Sequence, residues 1–286
     1  MASLYEIHGL NYRYNTKQDY VVKDLNLNIE EGQIFGLLGP SGAGKSTTQK
    51  VLIKLLPGYE GKVLFRGKSL KSLPQSFYED IGVGFEMPVH FNKLTADENL
   101  KYFASLYKKK TNYRSLLVRV GLGESIHQPV GQFSKGMKMR LNFVKALLND
   151  PQVLFLDEPT NGLDPSNARI IKDMILEEKK RGKTILITTH LMGDVEELCD
   201  EVAFIANGRL LETATPKSLK LKYGRREIKI EYSEKNQLKS IVLPLDGLSN
   251  DVLFQSILKE NRIITMHSQE TSLDKIFIEI TGKKHG

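Results

Sequence analysis

The 286-residue sequence has no tryptophan and one cysteine, Cys199. A single cysteine excludes an intrachain disulfide and a cluster of thiolate metal ligands, and it suits a reducing compartment. Nowhere does an apolar run approach the roughly 18–20 residues that a membrane-crossing helix needs. The opening Met1-Ala2-Ser3-Leu4-Tyr5-Glu6 lacks the basic start and apolar stretch of a secretory signal. If the protein works at a membrane, another chain is expected to supply the spans. Internal repeats and low-complexity tracts do not stand out. Acidic residues are in the minority, 34 against 41 Lys and Arg, for a formal net charge of +7. The excess is partly local, because residues 216–240 hold eight basic side chains and three acidic ones. A solvated face accounts for such a stretch, as does attraction to an anionic membrane surface or a nucleic acid.

The remaining composition is that of an ordinary globular chain, 40% hydrophobic and 26% charged. Its length permits one large or two modest domains with a sizeable core. The most informative stretch is Gly39-Pro40-Ser41-Gly42-Ala43-Gly44-Lys45-Ser46-Thr47, a G-x-x-x-x-G-K-[ST] phosphate-binding loop. The apolar run Ile34–Leu38 before it reads as a buried strand, and Ser46–Leu56 after it as a helix stopped by Pro57-Gly58. Glycines let the loop amides turn inward as a nest for anionic oxygens, and the helix N-terminus adds partial positive charge. Lys45 is placed to reach the β- and γ-phosphates of a nucleotide, and the Ser46 hydroxyl to ligate Mg²⁺.

Strand and helix signals alternate along the chain. Leu25, Leu27 and Ile29 alternate with Asn26, Asn28 and Glu30 as a half-buried strand. Of the nearby tyrosines, Tyr5, Tyr12 and Tyr20 are expected to pack, and Tyr14 to stack on an adenine ring. Thr95-Ala96-Asp97-Glu98 is a capping box that opens a helix. Ser134 opens another, with Met137, Leu141, Val144 and Leu148 as its buried stripe. Val153–Leu156 reads as a buried strand ending at Asp157-Glu158, and Thr184–Thr189 as a strand ending at His190. Asn207-Gly208 predicts a tight hairpin. The alternation predicts an α/β fold, a mixed and mostly parallel sheet flanked by helices, with a helical insertion near residues 88–150. After Pro216 the pattern changes to short strands around a helix at 251–259, which predicts a main domain over 1–216 and a small α+β appendage over 217–286.

Carboxylates at the C-terminal ends of parallel strands lie beside the ligand crevice of such folds. Asp157 is therefore expected to hold Mg²⁺ through water, and Glu158 to take a proton from an attacking water.

Together these motifs resemble the ATP-binding subunits of ABC transporters over roughly residues 4–215, within the P-loop NTPase class. Gly39–Thr47 is similar to Walker A, Val153–Glu158 to Walker B with its glutamate, Asn161–Asp164 to the D-loop, His190 to the switch histidine and Tyr14 to the A-loop aromatic. Phe133-Ser134-Lys135-Gly136-Met137 stands in place of the signature motif, usually Leu-Ser-Gly-Gly-Gln, and so departs from it at Lys135 and Met137. Glu86 stands where a Q-loop glutamine is expected, and a role for it on Mg²⁺ follows. The resemblance implies ATP and Mg²⁺ as ligands and a head-to-tail dimer in which Ser134, Lys135 and Gly136 complete the site of a second ATP-binding subunit, identical or not. Residues 271–282 resemble the final segment of exporter-type subunits. This implies a separate membrane permease and a peripheral place on the cytoplasmic face of the membrane. A nucleic-acid or ribosome ATPase is the rival reading. One phosphate loop and no sustained heptads speak against it, and nucleic acid is not expected as a partner.

Overall fold

The computed structural model describes residues 2–109, 111–224, 227–234, 237–269 and 271–282. Two compact units divide the chain, Met1–Thr215 and Pro216–Gly286.

The first unit opens with β1 (Ser3–Tyr12) and β2 (Val22–Glu30), followed by β3 (Ile34–Leu38) and α1 (Lys45–Leu52). Next come β4 (Glu60–Phe65), β5 (Lys68–Ser69), α2 (Phe77–Asp80) and β6 (Ile81–Gly84). Three helices fill the stretch read as an insertion, α3 (Ala96–Ser105), α4 (Tyr113–Arg119) and α5 (Lys135–Ala146). The unit closes with β7 (Val153–Asp157), α6 (Pro165–Lys180), β8 (Thr184–Thr188), α7 (Met192–Leu198), β9 (Glu201–Ala206) and β10 (Arg209–Ala214).

These strands build two sheets. A six-stranded sheet runs β10-β9-β3-β8-β7-β6, parallel throughout except for the edge strand β10. Strands β3 and β8 are buried along their whole length, as their continuous apolar runs require. The early strands do not join this sheet. They form an antiparallel one, β2-β1-β4-β5, with Ile7 opposite Leu27 and Val63. Tyr5, fully buried, packs edge-on to Phe155 at 6.2 Å, so aromatic rings from both sheets share one core.

Local chemistry explains most element ends. The capping box at Thr95 and Glu98 is complete. Asn207 and Gly208, at φ +51° and +80°, make the β9–β10 turn with both central residues left-handed. Two expectations shift. Helix α1 stops at Leu52, because the amides of Leu55 and Leu56 both turn back to the Lys50 carbonyl and Lys54 goes left-handed (φ +58°). On α5, Met137 is only half-buried, whereas Met139, Asn142 and Phe143 are buried as well as the expected Leu141 and Val144. The helix is enclosed on more than one side. A Cβ on Gly82 of β6 would sit 1.9 Å from the Ala146 carbonyl oxygen, so only glycine admits so close an approach. The Asn142 amide also donates to the Phe85 carbonyl at 2.8 Å.

Below this contact, Asp150 is left-handed (φ +45°) and accepts from Lys109 and Lys183 at 2.6 Å each and from Arg181 at 3.1 Å. Burial pushes its carboxyl up, but the Lys109 and Lys183 hydrogen bonds and charges outweigh it and bring the pKa to about 2. A carboxyl held below its unfolded value stabilises the fold above about pH 4 and stops doing so as the pH falls toward 2. Solvent screening reduces the contribution to about 1–2 kcal/mol. Asp150→Asn, which tolerates the left-handed backbone, is expected to lose that amount at pH 7 and to match the parent near pH 2. Denaturant titrations at the two pH values check this.

The second unit holds α8 (Pro216–Tyr223), β11 (Glu227–Glu234), β12 (Gln237–Pro244), α9 (Val252–Glu260), β13 (Arg262–Gln269) and α10 (Leu273–Thr281). Its antiparallel sheet, β12-β11-β13, buries Ile228, Ile230 and Leu243 with Ile257 of α9. Of the basic stretch, Lys229 pairs with Glu231 and Lys239 with Glu234, while Arg225, Arg226 and Lys235 lie outside the described residues. Among the described residues, no helix is long and apolar enough to cross a membrane.

Candidate nucleotide site

The site assembles at the carboxyl ends of four parallel strands. The loop Gly39–Lys45 follows β3, Asp157 and Glu158 end β7, Thr188–His190 end β8, and Glu86 lies just past β6. Because the strand order is β3-β8-β7-β6, the β8 end stands between the loop and the acidic pair.

Backbone geometry shapes the loop. Gly42 and Gly44 are left-handed, at φ +77° and +104°. At Gly39 the reason for glycine is space, since a Cβ there would meet the Ile205 carbonyl oxygen of β9 at 2.1 Å. The Gly208 amide of the β9–β10 turn holds the Ala43 carbonyl at 3.1 Å. Lys45 donates to the Gly39 and Pro40 carbonyls at 2.7 and 3.2 Å. Burial lowers its pKa, opposed by the charges of Glu158, Asp157 and Glu86, so the field of three carboxylates reaches this one ammonium. Ser41 and Ser46 are exposed, whereas Thr47 is buried. The Thr47 hydroxyl lies 3.1 Å from that of Tyr14, whose residue is 54% exposed beside the loop. Tyr5 and Tyr12 are buried and Tyr20 is half-buried.

Glu158 is buried yet left-handed, at φ +51°. A non-glycine residue in this region costs on the order of 1 kcal/mol or more. The turn is held by its amide, which donates to the Thr188 carbonyl at 2.8 Å. Its Oε1 lies 2.8 Å from His190 Nδ1, and its Oε2 accepts from the Thr189 hydroxyl at 3.1 Å. Burial raises the Glu158 pKa, with the His190 and Thr189 bonds pulling the other way and Asp157 adding to the rise. The Thr188 hydroxyl donates to Asp157 Oδ1. Neither threonine carries a motif of its own in the sequence. The signal available was their place immediately before His190 at the end of a buried strand.

Ser134, Lys135, Gly136 and Asp164 gather elsewhere. Ser134 caps α5 by accepting from the Met137 amide at 3.2 Å, and Asp164 caps α6 by accepting from Asn167 at 3.1 Å. The two turns touch. A Cβ on Gly162 would meet the Lys135 stem at 3.2–3.4 Å, and one on Gly136 would meet Leu163 at 3.4 Å. Ser134 and Lys135 are exposed. Among the described residues, no hydrogen bond or ion pair joins Ser134, Lys135 or Gly136 to the phosphate loop.

Among the described residues, no three His, Cys, Asp or Glu side chains form a cage for a metal ion. The donors on offer, the Asp157 carboxylate, the exposed Ser46 hydroxyl and the exposed Glu86 carboxylate, are hard oxygens. That set suits Mg²⁺, which commonly takes one or two carboxylates and completes its shell with waters and substrate phosphates.

Known proteins resemble this chain along most of its length. Residues 22–161 match the ABC transporter family model, and residues 226–270 match the fluoroquinolone efflux ABC transporter C-terminal domain. The fluoroquinolones export ATP-binding protein of Mycobacterium tuberculosis is 47% identical over 280 residues, 97% of this chain and 93% of that protein. The bacitracin transport ATP-binding protein BcrA of Bacillus licheniformis is 34% identical over 285 residues, 98% of this chain and 90% of that protein. A solved ATP-binding subunit of an ABC transporter superposes with a TM-score of 0.70 at 30% identity, over 77% of this chain and 93% of its own. With a phosphate loop on β3, an acidic pair on β7 and full-length relatives of one kind, the chain belongs to the ATP-binding, ATP-hydrolysing subunits of ABC transporters.

Proposed function

We propose that this subunit powers export through a separate membrane permease and hydrolyses ATP at a centre shared between two chains. One observation carries the second half. Lys45 of the loop lies in the field of Glu158, which is bonded to His190, while among the described residues Ser134, Lys135, Gly136 and Asp164 make no hydrogen bond or ion pair to the loop. A chain so arranged offers one part of a site at each of two places, and a symmetric pair completes both.

In this reading the loop amides and Lys45 bind the phosphates, and Tyr14 stacks on the adenine. Asp157, Ser46 and Glu86 hold Mg²⁺, which neutralises charge on the phosphates when bound. The attacking water's oxygen bonds to the γ-phosphorus as the bond to the β–γ bridging oxygen breaks, and Glu158 takes the proton. His190, fixed by Glu158, contacts the γ-phosphate. Ser134 and the α5 N-terminus close over that phosphate from the partner.

The permease is expected at the surface that follows Glu86. Met87 and Val89 are 83% and 78% exposed, and Phe91 and Tyr102 pack together at 5.1 Å with about half their surfaces open. Contiguous exposed apolar groups mark interaction surfaces. Docking there places the subunit at the cytoplasmic face of the membrane and joins the permease to the Mg²⁺ ligand set through Glu86. The names of the relatives point to antimicrobial compounds as the exported class. They lend no support to a nucleic-acid role.

Mixing two inactive variants tests the shared centre. Lys45→Met disables a chain's own loop and Ser134→Arg disables what it lends. Half of randomly mixed dimers then contain one intact composite site, and recovery of up to about a quarter of parental turnover is expected. A mixture as inactive as its components, together with turnover per chain that does not change with concentration, overturns the proposal.

A further inference from the structure

Glu158 and His190 come from the ends of different strands, and their 2.8 Å contact survives only if the two following turns stay in register. Past the strand ends, a second bridge joins those turns. The Thr160 hydroxyl, two residues after Glu158, donates to Asp194 Oδ2 in the first turn of α7, four residues after His190. Thr160 is buried and the Asp194 side chain is 14% exposed. The other carboxylate oxygen, Oδ1, faces Lys172 of α6 at 3.5 Å. Helices α6 and α7 are already joined by Glu197, which pairs with both Lys172 and Arg169. Helix pairing therefore does not require Asp194, and its distinct contribution is the bond to Thr160. Helix α6 starts at the Asp164 cap, so the same carboxylate ties the Glu158 turn, the His190 turn and the partner-facing D-loop helix.

We propose that Asp194 is a positioning residue for hydrolysis: by holding Thr160 it keeps the turn that carries Glu158 aligned with the turn that carries His190. This rests on the proposed roles of those two residues. A carboxylate misplaced by a fraction of an ångström still binds nothing of ATP, so the loss falls on turnover and not on affinity.

Steady-state ATPase measurements on the full chain with Mg²⁺-ATP test it. Thr160→Val keeps the shape and removes the donor. It is expected to lower kcat about tenfold, with KM within about twofold and the thermal midpoint within a few degrees. Thr160→Ser, which restores the donor, is expected to recover most of the rate. Parental kcat in Thr160→Val, a Thr160→Ser variant no better than it, or a loss seen in KM overturns the inference. If Thr160→Val does not fold, Asp194→Asn and Asp194→Ala carry the comparison, since the Asn oxygen still accepts from Thr160. Activity in the first and loss in the second support the inference, and equal activities overturn it. Glu158→Gln measured alongside separates the two levels. Near-normal turnover there removes the base assignment itself, whereas an inactive Glu158→Gln beside a fully active Thr160→Val removes only the positioning role.

Discussion

Glu158→Gln is expected to bind ATP and to turn it over at least ~100-fold more slowly than the parent, the usual cost of removing a positioned general base. The substitution keeps the side-chain shape: with its oxygen in the place of Oε2 the Gln still accepts from the Thr189 hydroxyl, and its NH2, in the place of Oε1, can donate to a neutral His190 Nδ1, so the architecture persists. What disappears is a proton acceptor. Because burial already disfavours the ionised carboxylate, a neutral amide is not expected to lower the thermal midpoint. A slow-hydrolysing chain should also remain paired around ATP, so gel filtration with Mg²⁺-ATP is expected to show a dimer that the parent populates only briefly. Near-normal turnover would refute the base assignment.

Gly39→Ala is expected to lose both stability and nucleotide affinity. The added Cβ would lie 2.1 Å from the Ile205 carbonyl oxygen and 3.0 Å from Ala43 Cβ. Ile205 belongs to β9, held by β10 on one side and β3 on the other, so the oxygen cannot yield without disturbing the sheet. The loop must move by about 1 Å, at a cost of about 3 kcal/mol for overpacking a rigid contact. A nest displaced by that much no longer aims its amides at the phosphates, and ATP affinity is expected to fall about 100-fold. Gly42→Ala is the control. Nothing lies within 4 Å of its Cβ, so only the left-handed backbone opposes it, at about 1 kcal/mol. Calorimetric ATP binding and thermal unfolding of both variants decide the matter, and a Gly39→Ala chain that binds ATP like the parent sinks the argument.

Much of the local structure was legible in the residues. The loop's spacing, the buried runs before it and before Asp157, the Thr95 capping box and the Asn207-Gly208 turn each act over fewer than about ten residues. The end of α1 departs from the helical spacing. Leu55 and Leu56 continue the helical spacing, but the chain closes back onto the Lys50 carbonyl and leaves Leu55 exposed. On α5 the burial extends beyond one apolar face, because β6 and the Phe85 carbonyl approach the helix closely enough to bury Asn142 as well.

Short-range residue patterns specify which elements form and what chemistry they carry. Loop glycines, a strand-end acidic pair and helix caps are local requirements met by local residues. Which of these meet is a property of the folded chain. It brought Glu158 to His190 and Thr189 across 31–32 residues, Tyr14 to Thr47 across 33, and Thr160 to Asp194 across 34. Among the described residues it leaves Ser134 and Asp164 without a hydrogen bond to the phosphate loop. Those pairings follow from strand order in the sheet, β3-β8-β7-β6, and strand order is fixed by packing over the whole core.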